Sequence, residues 1–117
     1  MVKRILVVDD EYDDLKTVKE ILEKEGYEIL VATNGEKAVE ILKANNLDMM
    51  LTNIKMPIMS GYDLIKQCVT LPNNVEMKKL FISIVPENEV DMGGVDGFVQ
   101  KPFTPESLIG KVKKLLI

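Results

Sequence analysis

The chain has no histidine and only one cysteine, Cys68, among its 117 residues. Without histidine it cannot form a Ser-His or Cys-His catalytic pair, a histidine-rich zinc site or a phosphohistidine. A single cysteine cannot form an internal disulfide, and we therefore expect a reducing, cytoplasmic setting. Cys68 lies on an apolar helical stripe, so we interpret it as a packed small side chain rather than a reactive thiol.

Long apolar runs and an excess of positive charge are also absent. No stretch approaches the roughly 20 apolar residues that a membrane-spanning helix needs, and the run at residues 5–8 is too short for the core of a signal peptide. The net charge is -4, which disfavours direct binding to nucleic-acid phosphates. We therefore expect no membrane contact and no direct contact with nucleic acid.

Short apolar segments rich in Val, Ile and Leu alternate with segments of helical periodicity. The apolar segments lie at residues 5–8, 28–33, 48–53, 79–85 and 97–101. Most are continuous rather than alternating, which is typical of strands buried on both faces of a parallel sheet. Residues 1–117 are therefore predicted to form a single α/β domain, with a parallel sheet flanked by helices.

Helix starts are marked by side chains that can cap them. Residues 33–36 and 60–63 have capping-box spacing, beginning at Thr33 and Ser60, and Thr104 precedes a proline favoured in the first helical turn. The segment at 86–93 is short and acidic, so it predicts a single turn or a loop in place of a full crossover helix.

Polar residues follow three of the predicted strands. Asp9 and Asp10 follow the first strand, Asn53 ends the third and Lys101 ends the fifth. In an open α/β sheet, functional groups collect at the carboxyl ends of the strands, where neighbouring strands lie about 4.8 Å apart. Two acids there can share a hard cation such as Mg²⁺, and a nearby lysine can neutralise an anionic group. The acids are alternatively a solvated pair at a helix start.

The motifs ILVVDDE, LTNIKMPIMSG and GFVQKPF, in this order and at these strand ends, resemble a response-regulator receiver domain of two-component signalling. The resemblance covers essentially the whole chain. It implies a doubly wound, flavodoxin-like fold with five parallel strands in the order 2-1-3-4-5, here with a shortened fourth helix. It also implies that an aspartate at the tip of the third strand takes a phosphoryl group from the phosphohistidine of a kinase.

The same resemblance implies roles for individual residues. Asp9 and Asp10 match the acid pair that binds Mg²⁺, and the backbone carbonyl of Lys55 and the side chain of Asn53 fall at the positions of further ligands of the metal. Lys101 matches the lysine that contacts the phosphoryl group, and Phe98 matches the aromatic switch position.

Asn53 falls at the phosphoacceptor position, where the family has aspartate. A neutral carboxamide is a poor nucleophile for phosphoryl transfer, and the loss of one negative charge weakens a Mg²⁺ site. The family also places a hydroxyl at the tip of the fourth strand. That tip is predicted at Val85, and Ser83 would serve only if the strand ended earlier.

These departures predict a degenerate receiver that acts by binding a protein partner, such as a histidine kinase or an output domain. The alternative is an ordinary Mg²⁺-dependent phosphoacceptor receiver that carries an engineered aspartate-to-asparagine substitution at position 53. A Mg²⁺-dependent phosphatase or nucleotide-binding enzyme that uses Asp9 and Asp10 is disfavoured, because no glycine-rich phosphate loop follows the first strand.

Overall fold

The computed structural model, which describes residues 2–117, contains five parallel strands joined by helices. The sheet order is β2-β1-β3-β4-β5, so the predicted doubly wound fold is confirmed. Within the described residues, every helix falls short of the length and apolar content that a membrane span requires. In chain order the elements are β1 (Arg4–Val8), α1 (Tyr12–Lys24), β2 (Glu28–Ala32), α2 (Gly35–Ala44), β3 (Met49–Thr52), α3 (Gly61–Thr70), β4 (Lys78–Ser83), β5 (Gly97–Gln100) and α4 (Pro105–Leu115).

Both faces of the sheet are covered by helices. Leu6 and Phe81 point to the face that packs against α2 and α3, whereas Ile5 and Leu51 point to the face that packs against α1 and α4. All four are fully buried. Burial on both faces explains why the central strands are continuous apolar runs. The edge strand β2 is only partly buried.

Two of the three predicted helix starts are confirmed. Ser60 caps α3 in a reciprocal capping box, and Thr104 caps α4 with a proline in the first turn. The prediction at Thr33 is wrong by one residue, because the side chain of Asn34 accepts the N–H of Lys37 and caps α2. Asparagine is at least as favourable as threonine at this position, so the spacing alone did not distinguish them.

The connection from β4 to β5 has no α-helix, as the sequence predicted. It contains one 3₁₀ turn at Glu87–Glu89. The N–H of Asp91 donates to the hydroxyl of Tyr62 at 3.3 Å, and the Tyr62 ring meets Phe81 edge-on with 5.4 Å between centroids. This crossover is also held by apolar side chains packed on the α2–α3 face, namely Val90, Met92 and Val95.

Cys68 packs against the same face of the core from α3. Burial raises the pKa of its thiol above the ordinary value, and this effect outweighs the opposing charge of Lys79. The thiolate is therefore disfavoured near neutral pH, which fits the interpretation of Cys68 as a packing residue.

Gly61 brings the start of α3 against the tip of β3. Its N–H donates to the carbonyl oxygen of Ile54 at 2.7 Å. A Cβ at this position would overlap the carbonyl oxygen of Asn53 and lie 2.9 Å from the Cα of Ile54. The close approach of α3 to residue 53 therefore requires glycine at position 61.

We expect Gly61→Ala to destabilise the fold by about 1–3 kcal/mol, because the added methyl group forces α3 away from the strand tip. The matched control is Gly110→Ala in α4, where a Cβ meets nothing within 4 Å. The control should raise the free energy of unfolding by about 0.5–1 kcal/mol, since alanine is the better helix former. Urea denaturation measures both, and equal effects would contradict the close approach of α3.

Candidate functional site

Three strand ends meet at one side of the sheet, which we call the carboxyl edge. Asp9, Asn53 and Lys101 are the first residues after β1, β3 and β5. The backbone N–H of each continues the parallel ladder with a hydrogen bond of 2.8–3.1 Å to the neighbouring strand. This continuation holds the three backbones in register, so the side chains that the sequence placed at strand ends do lie together.

The side-chain nitrogen of Asn53 is surrounded by oxygen atoms. Nδ2 lies 3.3 Å from a carboxylate oxygen of Asp9, 3.2 Å from one of Asp10 and 3.4 Å from the carbonyl oxygen of Lys55. These are the same three groups that the resemblance assigned to a metal ion. We call the cluster formed by Asp9, Asp10, Asn53, the Lys55 carbonyl and Lys101 the acid pocket.

The orientation of the Asn53 amide follows from its hydrogen bonds. Its oxygen Oδ1 accepts the backbone N–H of Ile54 at 2.9 Å. Reversing the amide would bring this oxygen against three acceptors and turn the NH₂ group toward an N–H donor. Only the orientation with the nitrogen facing the acids puts donors opposite acceptors on both sides of the amide.

Lys101 supplies the positive charge of the acid pocket. Its Nζ lies 2.8 Å from Asp9 and 2.9 Å from Asp14, and its side chain is only 9% exposed. Burial by itself would lower the pKa of Lys101, but the hydrogen bonds and charges of the two carboxylates outweigh it and raise the pKa above its ordinary value. The ammonium form is therefore the form present at neutral pH.

Asp14 is a site residue that the sequence analysis missed. It lies in the first turn of α1, where an acid is favourable for the helix dipole whether or not it has a partner. The one available signal was its place in the first turn of α1, shortly after the acid pair Asp9 and Asp10.

The acid pocket has the right atoms for Mg²⁺ but does not fit the ion as it is arranged. Carboxylate and carbonyl oxygens are the ligands that Mg²⁺ prefers. However, the point on which the oxygens of Asp9, Asp10 and Lys55 converge is held by the amide nitrogen of Asn53. Across residues 2–117, no group of three or more acidic, cysteine or histidine side chains is arranged to hold a metal.

The tip of β4 is at Ser83, not at Val85 as predicted. The carbonyl of Ser83 accepts the N–H of Lys101, and its hydroxyl oxygen accepts the N–H of Val85 at 3.0 Å. The second bond turns the chain away from the sheet, so the strand ends although the apolar run continues. A buried hydroxyl therefore lies at the tip of β4, which is the alternative that the sequence analysis gave for a strand ending earlier.

Phe98 lies on β5 and is 3% exposed. It is paired in register with Phe81 on β4, on the face of the sheet that α2 and α3 cover. The aromatic residue that the resemblance assigned to a switch is thus packed inward beside β4.

Residues 5–113 match the family model of the response regulator receiver domain. The response regulator SaeR of Staphylococcus aureus is 31% identical over 121 residues, an alignment that includes 96% of this chain and 50% of SaeR. The chain thus spans about half the length of the curated relatives it matches.

Solved structures give the same result. A CheY-like receiver domain protein from Methanospirillum hungatei is similar with a TM-score of 0.90 and 33% identity, over 99% of this chain and 94% of that one. The response regulator TrrA from Thermotoga maritima, solved in complex with Mg²⁺-BeF, has a TM-score of 0.88 and 35% identity, over 98% of this chain and 100% of that one.

We expect Lys101→Met to lower the free energy of unfolding by about 3 kcal/mol, because Asp9 would be left buried without its cation. The control is Asp14→Asn, which removes the other partner of the lysine. The Asp14 side chain is 46% exposed, so solvent screens this contact and the loss should stay below about 1 kcal/mol. Urea denaturation at neutral pH measures both losses. Similar small losses would contradict the central role of the Lys101–Asp9 pair.

Proposed function

The chain belongs to the response regulator receiver domain family of two-component signalling, and we propose that it is a degenerate receiver that acts by binding protein partners without accepting phosphate at Asn53. The observation that carries the proposal is the carboxamide at the tip of β3, with its nitrogen facing the acid pair. A carboxylate at this position would present a charged oxygen to a phosphoryl donor. Here the group that faces the pocket is a hydrogen-bond donor with no nucleophilic lone pair.

The rest of the acid pocket retains the residues expected in a receiver. We propose that Asp9, Asp10 and the carbonyl of Lys55 are the candidate cation ligands and that Lys101 is the residue suited to an anionic group. Receiver domains typically bind Mg²⁺, as in the TrrA complex. For this chain we propose weakened Mg²⁺ binding, because Asn53 brings no negative charge to the ligand set.

Receiver domains interact with histidine kinases and with output domains, and we propose a partner of this kind here. Two large apolar side chains support a contact surface beside the site. Ile58 is 78% exposed on the loop after β3 and Ile84 is 72% exposed just after β4. Both side chains follow the carboxyl ends of strands, so a partner that binds at this edge of the sheet would bury them, which is favourable. The net charge of -4 favours a protein partner over nucleic acid, and the lone cysteine fits a cytoplasmic location.

Ser83 favours the second candidate, an ordinary phosphoacceptor receiver in which Asn53 replaces an aspartate by engineering. With a hydroxyl at the tip of β4, the departures from the family pattern are reduced to Asn53 and the crossover without a helix. We retain the degenerate receiver as the leading proposal because a substitution engineered at position 53 would not account for the altered crossover. We further propose that residues 1–117 form one receiver domain and that Phe98 and Ser83 are its switch residues.

Receiver domains are in general signalling modules rather than catalysts, and we propose that this chain has no turnover of its own. The proposal is supported by the amide of Asn53, which donates to both Asp9 and Asp10 and so disfavours their use as a base. Hydrolysis of phosphate esters in the presence of Mg²⁺, abolished by Asp10→Asn, would contradict this part of the proposal.

We expect the unaltered chain to gain no phosphoryl group from small-molecule donors such as acetyl phosphate in the presence of Mg²⁺, because Asn53 lacks an attacking carboxylate. Intact mass spectrometry checks this, since phosphorylation adds about 80 Da. The matched variant is Asn53→Asp, which restores the acceptor beside Lys101 and should become labelled. A labelled residue 53 in the unaltered chain would disprove the degenerate receiver.

The conformational response of labelled Asn53→Asp separates the two candidates. A degenerate receiver should show NMR shift changes confined to the acid pocket, because its crossover at residues 84–96, with one 3₁₀ turn and no α-helix, no longer responds to position 53. An ordinary receiver should show changes that extend through residues 84–96 and to Phe98. The second result would favour an engineered substitution.

A further inference from the structure

We propose that the side-chain amide of Asn53 takes the place of the divalent cation, so that the acid pocket is complete without a metal and any cation must displace this amide. The inference rests on the proposed function in one respect, the assignment of Asp9, Asp10 and the Lys55 carbonyl as cation ligands. It goes further because the Asn53 amide fills the position of the ion itself. The proposed function treats Asn53 only as a ligand that lacks the negative charge of aspartate.

The distances around the amide nitrogen support this substitution. Three oxygens surround Nδ2 at 3.2–3.4 Å, and an amide nitrogen has two hydrogens to share among them. Mg²⁺ binds its oxygens at about 2.0–2.1 Å. An ion bound to these same oxygens would overlap the nitrogen, so amide and ion cannot occupy the pocket together.

The backbone around Asn53 holds the amide in this orientation. Oδ1 accepts the N–H of Ile54, a residue that is 3% exposed. The carbonyl oxygen of Ile54 in turn accepts the N–H of Gly61 at the start of α3. Rotating Asn53 to offer its oxygen to a cation would leave a buried N–H without its partner, which is unfavourable.

Both oxygens of Asp9 are engaged by groups of this chain. Its Oδ1 accepts the N–H of Glu11 at 2.9 Å as well as the amide of Asn53, and its Oδ2 accepts Lys101 at 2.8 Å. Asp14 holds the same lysine from the other side at 2.9 Å. The buried carboxylate of Asp9 thus has a cation and two further hydrogen-bond donors from this chain, which reduces its need for a metal ion.

Two explanations for weak Mg²⁺ binding make opposite predictions for Asn53→Ala. If asparagine only lacks a charge, alanine should bind Mg²⁺ equally or more weakly, since it also lacks the amide oxygen. If the amide occupies the pocket, removing it should strengthen binding. The expected order of affinity is then Asn53→Asp tightest, Asn53→Ala next and the unaltered chain weakest.

The experiment is a Mg²⁺ titration of the full chain followed by NMR through the backbone amides of Asp10 and Lys55, at constant ionic strength. We expect Asn53→Ala to bind Mg²⁺ about three- to tenfold more tightly than the unaltered chain, the change expected for relief of one or two hydrogen bonds. Asn34→Ala removes the same amide from the cap of α2 and should leave the affinity unchanged. Alanine binding no tighter than asparagine would overturn the inference.

A second measurement needs no substitution and so does not depend on the folding of a variant. In the unaltered chain, the side-chain NH₂ resonances of Asn53 should move in step with the Asp10 backbone amide as Mg²⁺ is added. Movement of Asp10 with the Asn53 resonances unchanged would show that the ion enters without displacing the amide. A negative result in either Mg²⁺ experiment would overturn this inference but not the proposed function, which the phosphorylation test decides. Conversely, phosphorylation of the unaltered chain would disprove the proposed function but would not change the expected order of Mg²⁺ affinities.

Discussion

The structure of the site depends on one buried carboxylate. Asp9 is 1% exposed, and a charge removed from water to this extent is stable only when its oxygens are paired. Its partners come from across the chain. Glu11 donates from the next turn, Asn53 from β3 and Lys101 from the end of β5. The parallel register brings the three strand ends together and so supplies the partners that stabilise the buried carboxylate of Asp9.

This requirement explains how the acid pocket is stabilised with an amide at position 53. In a site with three carboxylates, repulsion among them would call for an external cation. With an amide at position 53, the chain supplies the donors itself, one neutral from Asn53 and one charged from Lys101. The pocket is thus held together by groups of this chain, and Ile58 and Ile84 are exposed on the segments that follow β3 and β4.

The sequence predicted the parts of this arrangement that depend on local patterns. Continuous apolar runs identified the strands, and the polar residues after them identified Asp9, Asp10, Asn53 and Lys101. Asp14 was missed because its role is non-local: the lysine it binds lies 87 positions further along the chain, and an acid in a first helical turn needs no other explanation.

The end of β4 was misplaced for a different reason. Ile84 and Val85 extend the apolar run, and hydrophobicity does not indicate where a ladder stops. The strand ends because the hydroxyl of Ser83 takes the N–H of Val85, a bond that no periodicity reveals. The N-cap of α2 was predicted one residue too early, because Thr33 and Asn34 are both good capping residues.

The most direct test of the account is a high-resolution crystal structure of the unaltered chain grown in millimolar magnesium. The account predicts that the amide nitrogen of Asn53 remains within hydrogen-bonding distance of Asp9, Asp10 and the Lys55 carbonyl, with no ion among them. An ion bound to those oxygens at about 2.1 Å while the amide nitrogen of Asn53 keeps its place beside them would contradict it.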